Sequence, residues 1–199
     1  MTVECRGSAV SRPLSQSRAL ARLGEVKGEM NIMTPRIDLT TPVAAGALQA
    51  MFGLERQVRQ AGFEKGLLDL MRMRASQING CAYCLDMHSK DARAHGETEQ
   101  RLYGLSAWRE TPYYSDRERA ALEWTEALTL VADTHVPDDV YERVRKHFSE
   151  AELVSLSLAV VQINGWNRLA ISMRAVPGTY QPGTVEKMIE AASHAGAAR

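Results

Sequence analysis

Long apolar runs are missing from this 199-residue chain. No stretch approaches the roughly 18–20 consecutive apolar residues that a bilayer-spanning helix needs, so no membrane partner is expected. Net charge is missing as well, because 24 Lys+Arg balance 24 Asp+Glu. Without a basic field there is no general attraction to a phosphate backbone, and nucleic acid is not an expected partner. There is no cationic start followed by an apolar stretch, so no secretory signal is expected. Cysteine is scarce and odd in number, three in all, and two of the three lie in one Cys-x-x-Cys. That count excludes a disulfide scaffold and favours a reduced, cytoplasmic setting with a reactive or metal-binding pair. What remains is the composition of a globular protein, 45% hydrophobic and 24% charged with few aromatics.

Residues 1–32 differ from the rest. Arg6, Arg12, Arg18 and Arg22 stand among serines and small residues, with no sustained apolar period. The expectation is a flexible N-terminal extension with Met33 as a candidate natural start, in preference to an Arg- and Ser-rich organellar leader. One domain is expected over 33–199. From Thr41 onward the punctuation is helical. Thr41-Pro42 starts a helix that Gly62 stops; a second runs from Glu64 to Asn79, where Gly80 breaks it; a third runs from Cys81 to His95. Thr98 opens a short helix, with a loop expected through Trp108 and Pro112. Ser115-x-x-Glu118 and Ser149-x-x-Glu152 are capping boxes before long apolar runs. Pro137 starts a helix between them, and Thr184 one that should reach Ser193. No segment alternates with period two between turn signals, so the fold class is all-α.

Gln77-Ile78-Asn79-Gly80 returns as Gln162-Ile163-Asn164-Gly165, 85 residues later. Both copies end an apolar run, which predicts a duplicated helix-turn-helix unit with a break at Gly165. Cys81 and Cys84 follow the first copy, and Trp166 and Leu169 take those places after the second.

The chemistry concentrates in Cys81-Ala82-Tyr83-Cys84-Leu85-Asp86-Met87-His88. If Gly80 marks the helix start, both cysteines lie in its first turn, and His88 stands on the Cys84 face one turn on. The N-terminal N–H groups favour thiolate, and an imidazole beside Cys84 can hold its proton. Two thiols three residues apart can also close a disulfide without unfolding anything. A structural zinc site wants four ligands and has three nearby, with His95 or Asp69 as candidates for the fourth. A thioredoxin motif would require a preceding strand, which is absent from the pattern. A redox dithiol is therefore favoured over zinc, and no metal or cofactor is expected.

Residues 76–88, from Ser76 to His88, resemble the core motif of alkylhydroperoxidase D-like proteins in the carboxymuconolactone decarboxylase family. So do Trp108-Arg109-Glu110-Thr111-Pro112, Glu118-Arg119-Ala120-Ala121-Leu122 and Asn164-Gly165-Trp166-Asn167-Arg168. The resemblance covers about Met33 to Gly183 and points to the peroxidase-related branch. It implies a helical AhpD-like fold, cofactor-free reduction of hydroperoxides, and homotrimers or homohexamers. It also implies that Cys84 is the peroxidatic thiol, that Cys81 resolves it, and that a lipoyl-bearing or thioredoxin-like dithiol protein returns the electrons.

Two departures from the family pattern stand out. The family's relay glutamate, twelve residues before the first cysteine, is Asp69 here, and a histidine of the best-studied members is Tyr83. Asp69 is thus a candidate relay to Cys81, with Tyr83 a supporting hydrogen-bond donor and a poor base. Two other functions remain open, a carboxymuconolactone-type decarboxylase and a redox-sensing or zinc-binding helical module. The family's decarboxylases lack the cysteine pair. Trp108, Trp124, Trp166, Met71, Met73 and Met87 read as packing residues, and His95 as a residue serving a helix C-terminus.

Overall fold

The computed structural model describes residues 33–189. The N-terminal extension with Cys5, and the stretch from residue 190 toward Ser193, lie outside the described residues. A short 3-10 turn, Pro42–Ala44, leads into α1 (Ala45–Gln60). Then come α2 (Lys65–Asn79), α3 (Ala82–Ala94), α4 (Glu99–Gly104), α5 (Asp116–Thr129), a single turn α6 (Val131–Thr134), α7 (Asp138–Val144) and α8 (Glu150–Met173). A last helix, α9, occupies 184–189 of the described residues, which contain no strand.

The caps explain the boundaries. Ser115 and Ser149 close full capping boxes with Glu118 and Glu152. The Thr98 hydroxyl accepts the Arg101 N–H ahead of α4. Glycine closes α2, where Gly80 takes φ +66°, a left-handed conformation that L side chains adopt at a cost. Only Gly80 and Cys81 separate α2 from α3, so the two helices run back along each other as a tight hairpin.

Helix α2 is the centre of the fold and packs against α3, α5 and α8. Its residues Leu67, Leu68, Leu70, Met71, Met73, Ala75 and Ser76 are all buried, because neighbours stand on several sides of it. One core joins Val58, Leu67, Met71, Trp124, Phe148, Leu156 and Val160, drawing α1, α5 and α8 together with α2. A second joins Leu70, Met73, Ala92, Leu102, Leu105, Trp108 and Leu122, tying the α2–α3 hairpin to α4 and α5.

Two expectations are corrected. Gly165 does not break the chain, since α8 is one continuous helix of 24 residues. The second Gln-Ile-Asn-Gly copy therefore contains no turn, and the duplicated helix-turn-helix reading fails there. An interior glycine costs a helix only about 1 kcal/mol, and this one has a packing reason. A Cβ at Gly165 would stand 3.0 Å from the Met51 Cε of α1. The segment expected as a loop before Pro112 is instead a 3-10 helix, Leu105–Glu110, kinked at Ala107. It places Trp108 in the second core, where the indole N–H donates to Glu126 at 2.8 Å.

Candidate active site

Cys81 is the N-cap of α3 in extended conformation, and its sulfur accepts the Cys84 N–H at 3.3 Å. The helix thus begins at Ala82, with the first sulfur performing the capping task usually given to a serine or aspartate oxygen. The two cysteines form a disulfide with Cα atoms 5.3 Å apart. Both are nearly inaccessible, at 1% and 2% exposed, and they pack with Ala170, Tyr83 and Ala175.

The buried residues of α3 are Cys84, His88 and Ala92, spaced by four along one face. His88 is 6% exposed, and its Nε2 is buried without a hydrogen-bond partner. Burial, reinforced by the charge of Arg72, pushes its pKa down to about 3. Arg72 and His88 each stand eight residues from Gly80, so the hairpin brings them to the same level. In the disulfide form His88 is therefore a neutral imidazole near neutral pH. A thiolate at Cys84 would supply the negative partner that the site otherwise lacks.

Asp69 is held elsewhere. Its carboxylate lies 2.6 Å from His95 Nδ1, and only 2% of the residue is exposed. Burial raises its pKa, against the opposing pull of His95 and Arg72. Eleven residues of helix separate it from Gly80, about 16 Å along the axis, so it makes no direct approach to Cys81. His95 caps α3, as its position before Gly96 suggested, but its ring serves Asp69. Sequence reasoning missed this pair, although a hairpin bent at Gly80 brings the two residues near a common level. Tyr83 is half-buried against the cysteines, and burial, then Asp86 and Asp91, raises its pKa. Its phenol thus keeps its proton and can donate a hydrogen bond but is no base near neutral pH.

A polar layer fixes the bend beneath the cysteines. Asn79 Nδ2 donates to Asn164 Oδ1 at 3.0 Å and to Asn167 Oδ1 at 2.8 Å. Asn167 in turn donates to Ser76 at 3.1 Å, and Asn164 to Thr129 at 3.0 Å. In a neighbouring cluster, Glu55 of α1 accepts from Arg72 of α2 at 2.7 Å, from Arg59 at 3.0 Å and from Gln162 of α8. Among the described residues no group of three or more His, Cys, Asp or Glu side chains is placed to hold a metal ion. Among them, too, no helix is long and apolar enough to cross a membrane.

A helical core around a capped Cys-x-x-Cys, with histidine one turn on, defines the class: an AhpD-like helical protein with a buried cysteine pair. The sequence profile of the carboxymuconolactone decarboxylase family matches residues 44–127, and the chain belongs to that family. It is 46% identical over 131 residues to the uncharacterized protein YdfG of Bacillus subtilis, covering 66% of this chain and 89% of that one. A crystal structure of a protein of unknown function from Agrobacterium tumefaciens, whose name links it to antioxidant defence and AhpD, superimposes with a TM-score of 0.70. It is 41% identical and covers 74% of this chain and 100% of its own. An uncharacterized peroxidase-related protein from Ralstonia eutropha shares the fold at 19% identity and a TM-score of 0.63, over 73% of this chain and 78% of that one.

Proposed function

We propose that the protein is a cofactor-free thiol peroxidase that reduces hydroperoxides through Cys84 and Cys81. The observation that carries the reading is the seating of both sulfurs at the N-terminus of α3, with Cys81 as cap and the His88 imidazole on the Cys84 face. Helix-terminal N–H groups stabilise a thiolate there, and a buried neutral imidazole can take the thiol proton as the thiolate forms.

In this reading the Cys84 thiolate attacks the peroxide. An S–O bond forms, the O–O bond breaks, and the alcohol leaves with a proton, giving a sulfenic acid. The Cys81 thiol then attacks that sulfur and water leaves, so the sulfurs end as a disulfide. An external dithiol, on a lipoyl-bearing or thioredoxin-like protein, is oxidised in turn and restores both thiols. Tyr83 assists as a hydrogen-bond donor. Asp69, engaged by His95, is given no step. The setting is the reducing cytoplasm and the assembly a homotrimer or homohexamer.

The reading is supported by the family assignment and by the relative named for antioxidant defence. Peroxide consumption with a panel of dithiol donors tests it. Wild type should turn over and Cys84→Ser should not. Consumption that survives Cys84→Ser, or fails with every donor, would remove the reading.

A further inference from the structure

The dithiol is buried, yet both a peroxide and a reductant must touch it. The segment after α8 crosses beside it. Arg174 ends α8 in a left-handed conformation, φ +57°, and Ala175 packs against the cysteine cluster. The chain then follows α3 in step. Gly178 N–H donates to Asp86 at 3.0 Å, and its carbonyl accepts from Lys90 at 3.3 Å. The Tyr180 carbonyl accepts from Lys90 at 3.2 Å, and the buried Tyr180 hydroxyl donates to Asp91 at 2.9 Å. Lys90 Nζ also pairs with Asp86 at 2.9 Å. Beyond Gly183, at φ +83°, the chain re-enters a helix.

We propose that residues 175–183 form a strap over the Cys81–Cys84 pair, latched to α3 by Lys90 and Tyr180, and that access of an external thiol to the pair requires its release. The proposal rests on the reading of this pair as a working redox site. Three features support it. Between Ala175 and the buried Tyr180 ring, the strap is fastened by polar contacts to one helix, a set that can break together without opening the main cores. The left-handed residues Arg174 and Gly183 bracket it, at the two helix ends where a hinge can absorb backbone rotation. The contacts advance along α3 from the cysteine end, at Ala175, to Asp86, Lys90 and Asp91, so loosening the latch exposes the sulfurs and leaves the hairpin intact.

The test is the alkylation rate of Cys81 and Cys84 by neutral iodoacetamide in the reduced, full-length protein, resolved by peptide mass. Tyr180→Phe removes one latch bond without changing charge. Lys90→Met removes three contacts together with a positive charge; that charge loss alone would make the thiols less acidic and slow the reaction. Both variants should react about tenfold faster than wild type, the factor equivalent to about 1.4 kcal/mol of lost latch. Ser115→Ala, which removes the remote α5 cap, controls for general loss of stability. Variants that stay folded and alkylate no faster than wild type, or no faster than Ser115→Ala, would overturn the strap. Alkylation needs no peroxide turnover, so absence of peroxidase activity would remove the functional reading while leaving this result readable.

Discussion

Asn79 donates its amide to Asn164, 85 residues away, at 3.0 Å, so the two copies of Gln-Ile-Asn-Gly meet at equivalent asparagines. The contact joins the last turn of α2 to the middle of α8, directly beneath the bend that presents Cys81. The same Asn79 amide serves Asn167 at 2.8 Å, so the position of the cysteine turn depends on a buried side-chain network.

Asn79→Ala should therefore destabilise the protein by about 2–3 kcal/mol, since it removes two hydrogen bonds and takes from the buried Asn167 Oδ1 its donor, while Asn164 Oδ1 keeps Arg168. Denaturant unfolding with an unchanged m-value checks this. A loss below about 0.5 kcal/mol, the usual range of inconsequential surface substitutions, would mean that the layer is not structural.

His88 should make the oxidised protein acid-sensitive. Its folded pKa of about 3 lies below its ordinary 6.5, so the unfolded chain binds the extra proton between those values. The contribution of the neutral ring is fully present above about pH 6.5 and is lost as pH falls toward 3, at up to about 1.4 kcal/mol per pH unit. Asp69 and Asp91, whose pKa values are raised, slope the opposite way. The measurement is thus the difference between wild type and His88→Leu across that window. Parallel stability curves would show that His88 titrates normally.

Asp69→Asn should lower stability and alter the His95 imidazole resonances in NMR, because the 2.6 Å contact loses its charge. The rate of Cys84 oxidation should stay within about twofold, far inside the roughly 10²–10⁴-fold effect typical of acid–base groups. A drop of tenfold or more, with the fold intact, would return Asp69 to the relay expected from its place in the family motif.

His88→Gln should slow sulfenic acid formation at Cys84 below about pH 8, where an unassisted thiol is largely protonated. Superimposable pH profiles for wild type and variant would leave the helix terminus as the sole local activator.

The helices were legible because their ends are written locally. Ser115-x-x-Glu118, Ser149-x-x-Glu152, Thr98, Gly62, Gly80 and Gly96 each act within one turn of chain. Gly165 was not legible, because its role is set by Met51, over a hundred residues away. The i, i+4 phase of Cys84 and His88 was readable from spacing alone. The partner of Asp69 was not, because His95 arrives through a hairpin whose pairing depends on the bend at Gly80. The strap escaped for the same reason: Lys90 alone reads as part of a solvated face, until Gly178 and Tyr180 accept from it and engage Asp86 and Asp91 beside it.

The most direct test of the central claim is the intact mass of the fully reduced protein after one equivalent of hydroperoxide. Wild type should lose two hydrogens as Cys81 and Cys84 join. Cys81→Ser should instead gain one oxygen, at Cys84, and Cys84→Ser should be unchanged on the same timescale. Wild type with both thiols still free after the peroxide has been supplied would contradict the account.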